Sequence, residues 1–443
     1  MNIGIVGAGV AGLAAAKKLQ AAGHTVTLFE DRHEVGGQVV TFEVGGEPLE
    51  RFYHHIFNND TTVIRYFEEL GLTDALEWIE PNNAHFVKGR PYRFVTPLDL
   101  LKFTAIPLVS RIRLGLATLW LQRQKDWRKY ESKTASSYLE RAIGKKAFSA
   151  FWGPLLRGKF GKYAGEVSMA WLHWKIRLRF GSRTKGGMKE ELGYPRGSFR
   201  TYCDALARDI ESKGGTIHLS TSVERVDVVA GSATGIVADG HSHGFDAVLM
   251  TTPNIITRKL VPDLPEDYMA VLDSVRYQWA TCLVLELDRP LSDIYWLSIA
   301  DELPFVACVE HTNLIDPNRY GGNHVVYLSN YVSSDDPVLD MDAQAVLDNY
   351  MPSIRRINPE FAETWVRKLH LFKDPGGQPV IGVGYSKSVP EMRTGVGGLY
   401  LANTTQIYPE DRGQNYSLEL GERAADLMDQ DARSIAGARG ARI

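Results

Sequence analysis

Three glycines near the N-terminus have the spacing of a phosphate-binding turn. Gly7, Gly9 and Gly12 form a G-x-G-x-x-G pattern directly after the apolar run from Ile3 to Val6. In such a turn the first glycine permits a tight bend, the second lets the backbone approach a pyrophosphate, and the third lets the next helix pack against the strand. The chemistry that this pattern predicts is the binding of a nucleotide pyrophosphate.

An acidic pair one strand later narrows the choice of nucleotide. Val10 and Ala11 begin an Ala- and Leu-rich helix whose first amides and dipole favour phosphate. Thr25–Phe29 is typical of a β-branched strand, so the segment is a βαβ unit that ends at Glu30 and Asp31. A carboxylate there accepts hydrogen bonds from a ribose 2′-hydroxyl and disfavours a 2′-phosphate. The ligand should therefore be FAD or NAD and not NADP.

A second pair of glycines favours FAD. The stretch from Glu30 to Gly37 resembles the E-x(5)-G-G extension of the superfamily of flavin-containing amine oxidases, protoporphyrinogen oxidases and phytoene desaturases. The resemblance implies non-covalently bound FAD, with Gly36 and Gly37 close to its pyrophosphate. Gln38 stands where that superfamily usually has Arg or Asn, and we include it in the predicted site.

Later segments resemble further cofactor-binding motifs of the same superfamily, in the same order. They are a T-x-V-x-x-V segment whose backbone pairs with the adenine edge, a strand that ends near the ribityl chain, and a final helix. That helix is implied to direct its first amides at flavin N1 and O2 and to stabilise the anionic reduced ring. The residues that these motifs place at the cofactor are Val223, Asn403 (in place of the usual Gly), Asn415, Tyr416 and Ser417.

The order of these motifs predicts the architecture. We expect an α/β protein in which a Rossmann-like FAD-binding domain is interleaved with a substrate domain made of a mixed sheet and a helical cap. The FAD-binding domain is predicted to comprise 1–80, 193–254 and 391–430, the substrate domain 81–192 and 255–390, and a disordered tail 431–443.

Two adjacent histidines are candidates for catalysis. In the resembled superfamily, the part of the chain that contains His54 and His55 passes near the isoalloxazine ring, where imidazoles could hydrogen-bond the flavin or move protons near neutral pH. Tyr385 is predicted to approach the flavin from the last segment that crosses between domains. The plainer alternative is that the histidines are structural. The string HHIFNND, residues 54–60, also resembles an H-I-F-H-T segment of UDP-galactopyranose mutases.

The predicted cap is strongly basic. Between Lys88 and Lys185 there are 22 lysines and arginines against 5 acidic residues, a net charge of +17, whereas the rest of the chain carries −20. In one interpretation, these basic residues simply lie on helix faces exposed to solvent. In the other, they create an electrostatic field that attracts an anionic substrate or an anionic membrane. We predict that Arg157 and Arg177 bind substrate anions and that Trp174 stacks on a flat ring.

The stretch Leu98–Trp120 is apolar but interrupted by charges, and it predicts two amphipathic helices bent at Pro107. Such helices either cap a substrate cavity, which we prefer, or lie on a bilayer surface. No uncharged run has the length of a spanning helix, and the three cysteines have no paired spacing. Because the first predicted strand starts at residue 2, we expect no signal peptide. These features predict a cytoplasmic protein with a small-molecule substrate and no nucleic-acid partner.

The reaction expected is transfer of a hydride from a small, possibly anionic, organic substrate to flavin N5 by an FAD-dependent oxidoreductase. In many flavin amine oxidases, a strand like Ala280–Leu287 carries a lysine that holds a water near flavin N5. No lysine occurs between Val275 and Asp288, which argues against oxidation of primary amines or polyamines by that scheme. No second G-x-G-x-x-G motif offers a site for a nicotinamide nucleotide. One alternative is a redox-neutral mutase acting on a nucleotide sugar. Another is a non-catalytic binding protein with this fold.

Overall fold

The computed structural model describes residues 1–181 and 190–440, which contain both β-strands and α-helices. The strands among them are β1 (Asn2–Val6), β2 (Thr25–Phe29), β3 (Thr41–Val44), β4 (Glu47–Glu50), β5 (Ile56–Phe57), β6 (Leu76–Ile79), β7 (Asn83–Val87), β8 (Arg90–Arg93), β9 (Leu192–Pro195), β10 (Thr216–His218), β11 (Val223–Val229), β12 (Ser232–Ala238), β13 (His241–Gly244), β14 (Ala247–Met250), β15 (Tyr277–Leu287), β16 (Trp296–Ile299), β17 (Ala307–Glu310), β18 (His324–Val332), β19 (Val366–Pro379) and β20 (Leu399–Leu401). The α-helices are α1 (Val10–Ala21), α2 (Thr61–Glu69), α3 (Pro97–Lys102), α4 (Leu108–Arg123), α5 (Ala135–Ile143), α6 (Lys145–Ala150), α7 (Trp152–Phe160), α8 (Met169–Gly181), α9 (Arg200–Ser212), α10 (Asn254–Leu260), α11 (Glu266–Ser274), α12 (Ala343–Ile357) and α13 (Gln414–Gly440).

A parallel sheet of five strands holds the N-terminal glycine motif. Its strand order is β10-β2-β1-β14-β20, and its strands come from the ranges 1–80, 193–254 and 391–430. Helix α13 packs on α1 so closely that a Cβ added at Gly421 would lie 2.2 Å from the Ala11 carbonyl oxygen. The last helix of the chain thus packs against the helix that follows the first strand, and helices packed on a parallel sheet are a feature of Rossmann-like α/β folds.

A second sheet of seven strands has the order β19-β15-β18-β17-β16-β7-β8. It is mixed because β16 pairs with β7 in parallel, whereas the other neighbours are antiparallel. Alternate residues of a strand point to the same face, so Asn83 and His85 of β7 share a face, as do Trp296 and Ser298 of β16. All four line the main cavity of the protein.

The helices α3 to α8 form the predicted cap. The chain breaks at Phe151, where φ is −127° and ψ −68°, between α6 and α7. Pro154 explains the break: its missing N–H and fixed φ suit the first turn of a helix and disrupt a helix interior. The basic residues Arg183 and Lys185 lie outside the described residues.

The C-terminal segment is helical, and the prediction of a disordered tail was wrong for residues 431–440, while 441–443 lie outside the described residues. Asp431 accepts hydrogen bonds from Arg393, with Oδ1 2.6 Å from Nη2 and Oδ2 2.8 Å from Nε, and from the Tyr400 hydroxyl at 2.7 Å. These contacts anchor the helix to β20. Alanine and arginine, which are abundant here, are strong helix formers. None of the helices among the described residues is both long and apolar enough to cross a bilayer.

Candidate functional site

A cavity of about 1370 Å³ lies between the parallel sheet, the mixed sheet and the helical cap. Pockets for one small molecule are usually about 300–1,000 Å³, so there is space for a cofactor and a substrate together. Of the residues that the sequence predicts at the cofactor, only Gly12 does not line this cavity. The lining residues among them are Gly7, Gly9, Val10, Ala11, Glu30, Asp31, Gly36, Gly37, Gln38, Val223, Asn403, Asn415, Tyr416 and Ser417.

The two glycine motifs form one continuous cradle. Gly36 donates its N–H to the Ala8 carbonyl at 2.9 Å, and Gly9 and Gly36 form a parallel bridge. A Cβ added at Gly37 would lie 3.0 Å from the Gly9 Cα. Gly36, with φ of 118°, is in a backbone conformation that favours glycine. The cradle presents bare backbone to the cavity, as a closely bound pyrophosphate requires.

Gly12 lies behind this cradle and supports it. A Cβ there would lie 2.2 Å from the Gly7 carbonyl oxygen, so α1 can approach the end of β1 only because residue 12 has no side chain. The first intrahelical bond of α1 runs from Leu13 N–H to the Gly9 carbonyl, at 3.0 Å. The amides that precede it, including those of Val10 and Ala11, have no partner within the helix and are suited to phosphate oxygens.

Glu30 lies beside the first glycine motif, directly after β2. Its Oε2 accepts the Ala8 N–H at 2.8 Å, and its carbonyl accepts the Thr221 N–H at 2.8 Å, which brings β11 and Val223 next to it. Burial, together with the neighbouring Asp31, raises the pKa of Glu30 to about 7. A ribose hydroxyl reaching this carboxyl could therefore act as its hydrogen-bond partner in either protonation state.

Asn403 and Asn415 use their side chains within the protein. The Asn403 amide donates to the carbonyl of Thr252 at 2.8 Å and to Asn254 Oδ1 at 2.9 Å, while its oxygen accepts from Thr405. Asn415 Oδ1 accepts the N–H groups of Thr62, at 2.8 Å, and of the following residue at the start of α2. Neither side chain is therefore free for a cofactor, and the Asn403 N–H is engaged as well, because it donates to Gln406 Oε1 at 2.9 Å.

His54 and His55 lie side by side on the cavity wall. The His54 Nδ1–H donates to the Phe52 carbonyl at 2.6 Å, which leaves Nε2 as the acceptor of a neutral ring, and His55 Nδ1 lies 3.1 Å from the Tyr295 hydroxyl. Burial lowers the pKa of His54 to about 4, and burial together with the Arg179 charge lowers the pKa of His55 to about 3. Both rings are neutral at pH 7, which suits hydrogen bonding better than the proton transfer predicted near neutral pH.

The other predicted catalytic and substrate residues are not part of the cavity wall. The Tyr385 hydroxyl is buried and donates to the Thr405 carbonyl at 2.8 Å. Arg157 is exposed on α7, and Arg177 lies over the Trp174 ring at 5.3 Å and donates to a backbone carbonyl. Trp174 Nε1 approaches the Tyr416 hydroxyl at 3.5 Å, so it supports a wall residue from behind.

Two lysines that were not predicted at the site, Lys159 and Lys175, line the cavity. Lys159 Nζ lies 2.6 Å, and Lys175 Nζ also 2.6 Å, from Asp411 Oδ2, and the Trp171 indole donates to the same carboxylate at 3.3 Å. Burial alone would raise the pKa of Asp411, but the two lysines hold it well below its usual range. Burial lowers the pKa of Lys175 to about 8 and also lowers that of Lys159. The cluster therefore carries one positive charge in excess.

Arg412 connects the second glycine motif to the mixed sheet. Its guanidinium donates to Gln38 Oε1 at 3.0 Å, to Gln378 Oε1 at 3.1 Å and to the Tyr331 hydroxyl at 3.1 Å. All three partners are neutral, so the charge faces the cavity without an opposing carboxylate among them. The sequence feature that could have indicated Arg412 is its position just before the predicted final helix, which is α13.

Aromatic rings form much of the remaining wall. Tyr53 and Trp296 meet edge to face with centroids 4.7 Å apart, and the Tyr53 hydroxyl lies 3.1 Å from Ser329 Oγ. On the strand next to that of Trp296, His85 lies against Phe151 with ring centroids 4.5 Å apart. This part of the wall therefore offers flat, mainly apolar surfaces, as is typical of sites for organic substrates.

The comparisons with known proteins agree with this arrangement. Mitochondrial protoporphyrinogen oxidase of Nicotiana tabacum is 26% identical over 292 residues, a match that covers 57% of this chain and only 58% of that enzyme. The 15-cis-phytoene desaturase of Glycine max is 22% identical over 473 residues, covering 98% of this chain and 80% of that protein. A crystal structure of reduced UDP-galactopyranose mutase superimposes with a TM-score of 0.75 at 17% identity, covering 96% of this chain and 94% of the mutase.

An identity as low as that to the mutase shows a shared fold and leaves the reaction open. The model of one family, described as flavin containing amine oxidoreductase, matches residues 10–428 and so includes both the glycine cradle and the start of α13. The chain belongs to the flavin-containing amine oxidoreductase family.

Proposed function

We propose that the protein binds one FAD non-covalently along the glycine cradle and oxidises an organic substrate in the remaining part of the cavity. The observation that carries this proposal is the direct pairing of the two glycine motifs, Gly9 with Gly36, on the wall of a cavity larger than one ligand needs. Backbone amides at the starts of α1 and α13 line the same cavity. Bare backbone and two helix N-termini are the features that an anionic dinucleotide requires.

When bound, FAD would supply the hydride acceptor, N5 of its ring. The protein's contribution is to hold the nucleotide and the substrate. Gly36, Gly37 and the start of α1 would hold the pyrophosphate, and Glu30 the adenosine ribose. Tyr416 and Ser417, in the first turn of α13, would place positive helix-end potential beside the ring.

For the substrate, the residues of the mixed sheet and the cap supply the contacts. Tyr53, Trp296 and Phe151 would hold an apolar or flat molecule by packing. His54 and His55, both neutral, would orient it by hydrogen bonds, and closure of the cavity wall would exclude water from the reacting carbon. A substrate carboxylate or phosphate would find its counter-charge at Lys175 and Arg412.

The test is anaerobic mixing of the yellow protein with a panel of metabolites that includes a porphyrinogen and phytoene, because the similar enzymes are named for these. The expected result is bleaching of flavin absorbance near ~450 nm by one class of compound. If instead a nucleotide sugar were converted only after prior reduction of the flavin, with no change in its oxidation level, mutase chemistry would replace this proposal. A purified protein that takes up no FAD would overturn it altogether.

A further inference from the structure

Half of the large apolar side chains that are exposed in the described part of the chain belong to α3 and α4. Of sixteen such residues, eight lie between positions 98 and 120, and Val109 is 69% and Leu116 62% exposed. A cluster of this kind on one surface usually marks a site of interaction. The outer face is defined by Leu98, Leu101, Leu108, Val109, Ile112, Leu116, Leu119 and Trp120.

The spacing of these residues gives α4 two separate apolar faces. At 100° per residue, Val109, Ile112, Leu116 and Trp120 fall within one third of the helix circumference. The buried Leu114, Thr118 and Leu121 fall on the opposite side. Only the face with Leu114, Thr118 and Leu121 is buried within the protein. Packing of the fold therefore does not explain why the outer face is apolar.

The charges around the outer face are almost all positive. Residues 97–129 contain seven lysines and arginines and two acids. One of the acids, Asp99, is buried and accepts the backbone N–H groups of Val95 and Thr96. Among the described residues no ion pair is recorded for any of the seven cations, which are Lys102, Arg111, Arg113, Arg123, Lys125, Arg128 and Lys129.

We propose that the outer face of α3 and α4 docks on the surface of an anionic lipid bilayer. An apolar stripe flanked by lysine and arginine, with an exposed tryptophan, is the pattern by which helices lie in the interface of a membrane. Anionic lipids add an attraction for each nearby cation. A second copy of this chain is a poorer occupant, because a two-fold contact would place the same positive face against itself.

Docking would bring the cavity close to the bilayer. Leu100, Leu114, Thr118 and Gln122 line the cavity from the same two helices, and Leu119 belongs both to the cavity wall and to the outer face. One helix layer, about 10 Å across, therefore separates the two. The proposal does not depend on the substrate or on the reaction proposed above, because it concerns the surface alone.

The experiment is flotation of the whole 443-residue chain with vesicles of phosphatidylcholine alone or of phosphatidylcholine with phosphatidylglycerol at low salt. The wild type should float with the anionic vesicles and be released as salt is raised, since screening weakens the attraction. The double variant Val109→Glu with Leu116→Glu should bind at least about tenfold more weakly. Neither residue lines the cavity. Val229→Glu, at an apolar residue of similar exposure on β11, is the matched control and should bind as the wild type does.

A second pair of variants tests the charges. Lys125→Gln with Lys129→Gln should weaken binding to anionic vesicles, whereas Lys368→Gln with Lys387→Gln, also exposed but on other elements, should not. Trp120 gives a readout that does not depend on the variants folding equally well. Brominated lipid should quench the part of the wild-type fluorescence that is missing in Trp120→Phe.

Three results would overturn the proposal. The first is a wild type that stays unbound at low salt, and the second is equal binding of the V109E/L116E variant. The third is a dimer in light scattering that the double variant converts to a monomer without any change in vesicle binding, which would make a second copy the occupant.

Discussion

Lys175 Nζ lies 2.6 Å from Asp411 Oδ2, although 236 residues separate them in the chain. This contact joins α8 of the helical cap to the loop before α13. Lys159 of α7 reaches the same carboxylate. One buried aspartate therefore holds two cap helices against the cofactor side of the cavity.

Replacing Asp411 should cost stability. Asp411→Asn would leave two buried lysines without a counter-charge, and removing one member of a buried ion pair typically costs about 3 kcal/mol or more. Asp335→Asn breaks an exposed pair with Lys162 and should cost less than about 1 kcal/mol. Urea unfolding of both variants checks the difference, and equal losses would show that the buried cluster has no special role.

Binding of an anionic substrate should weaken as the pH rises through about 8. Burial lowers the pKa of Lys175 to about 8, so the ammonium loses its proton there and its charge no longer attracts the substrate. Lys175→Arg keeps the charge and should extend the plateau of kcat/KM to higher pH, mainly through KM. Profiles of kcat/KM for the substrate found in the anaerobic screen check this. Identical profiles for the two proteins would show that Lys175 does not contact the substrate.

Acid should destabilise the protein between about pH 6.5 and pH 3. In that range an unfolded histidine binds a proton, whereas His55, with its pKa lowered to about 3, stays neutral in the fold. The unfolded state then binds more protons, so stability falls as the pH falls, by at most ~1.4 kcal/mol per pH unit for each such residue. His55→Gln should reduce this slope, although His54, His85 and His311, whose pKa values burial also lowers, retain part of it. His241→Gln, at an exposed histidine of β13, should leave the slope unchanged. Melting temperatures measured from pH 7 to pH 4 check this, and equal slopes for the wild type and His55→Gln would contradict it.

Two glycine variants separate cofactor binding from folding. Gly9→Ala places its Cβ 3.5 Å from the Gly37 Cα, an ordinary contact, so the protein should fold but bind FAD at least about tenfold more weakly. Gly12→Ala should lower stability itself, by about 1–3 kcal/mol, because its Cβ would meet the Gly7 carbonyl. Gly165→Ala, whose Cβ would have no heavy atom within 4 Å, is the control. Flavin retention after gel filtration and thermal melting distinguish the two effects, and unchanged FAD binding in G9A would place the pyrophosphate elsewhere.

The sequence alone determined the βαβ unit, both glycine motifs and the family. These features are local: a strand, a turn and a helix at fixed spacing follow from residue types that only certain backbone conformations accept. Gly7 and Gly12 could thus be assigned from their positions relative to Ile3–Val6. The helical pair over Leu98–Trp120 was likewise readable from its spacing, because the run is long and contains Pro107.

Only the tertiary structure decided which face of each cap helix meets the cavity. The predicted Arg157 and Arg177 are each two residues from the lysines that line it, Lys159 and Lys175. Two residues correspond to about 200° around a helix, so the prediction selected the opposite faces. These helices carry basic and aromatic residues on both sides. The periodicity of the sequence therefore could not indicate which side of each helix faces the cavity. That direction depends on Asp411, far away in sequence, whose buried carboxylate fixes the orientation of both lysines.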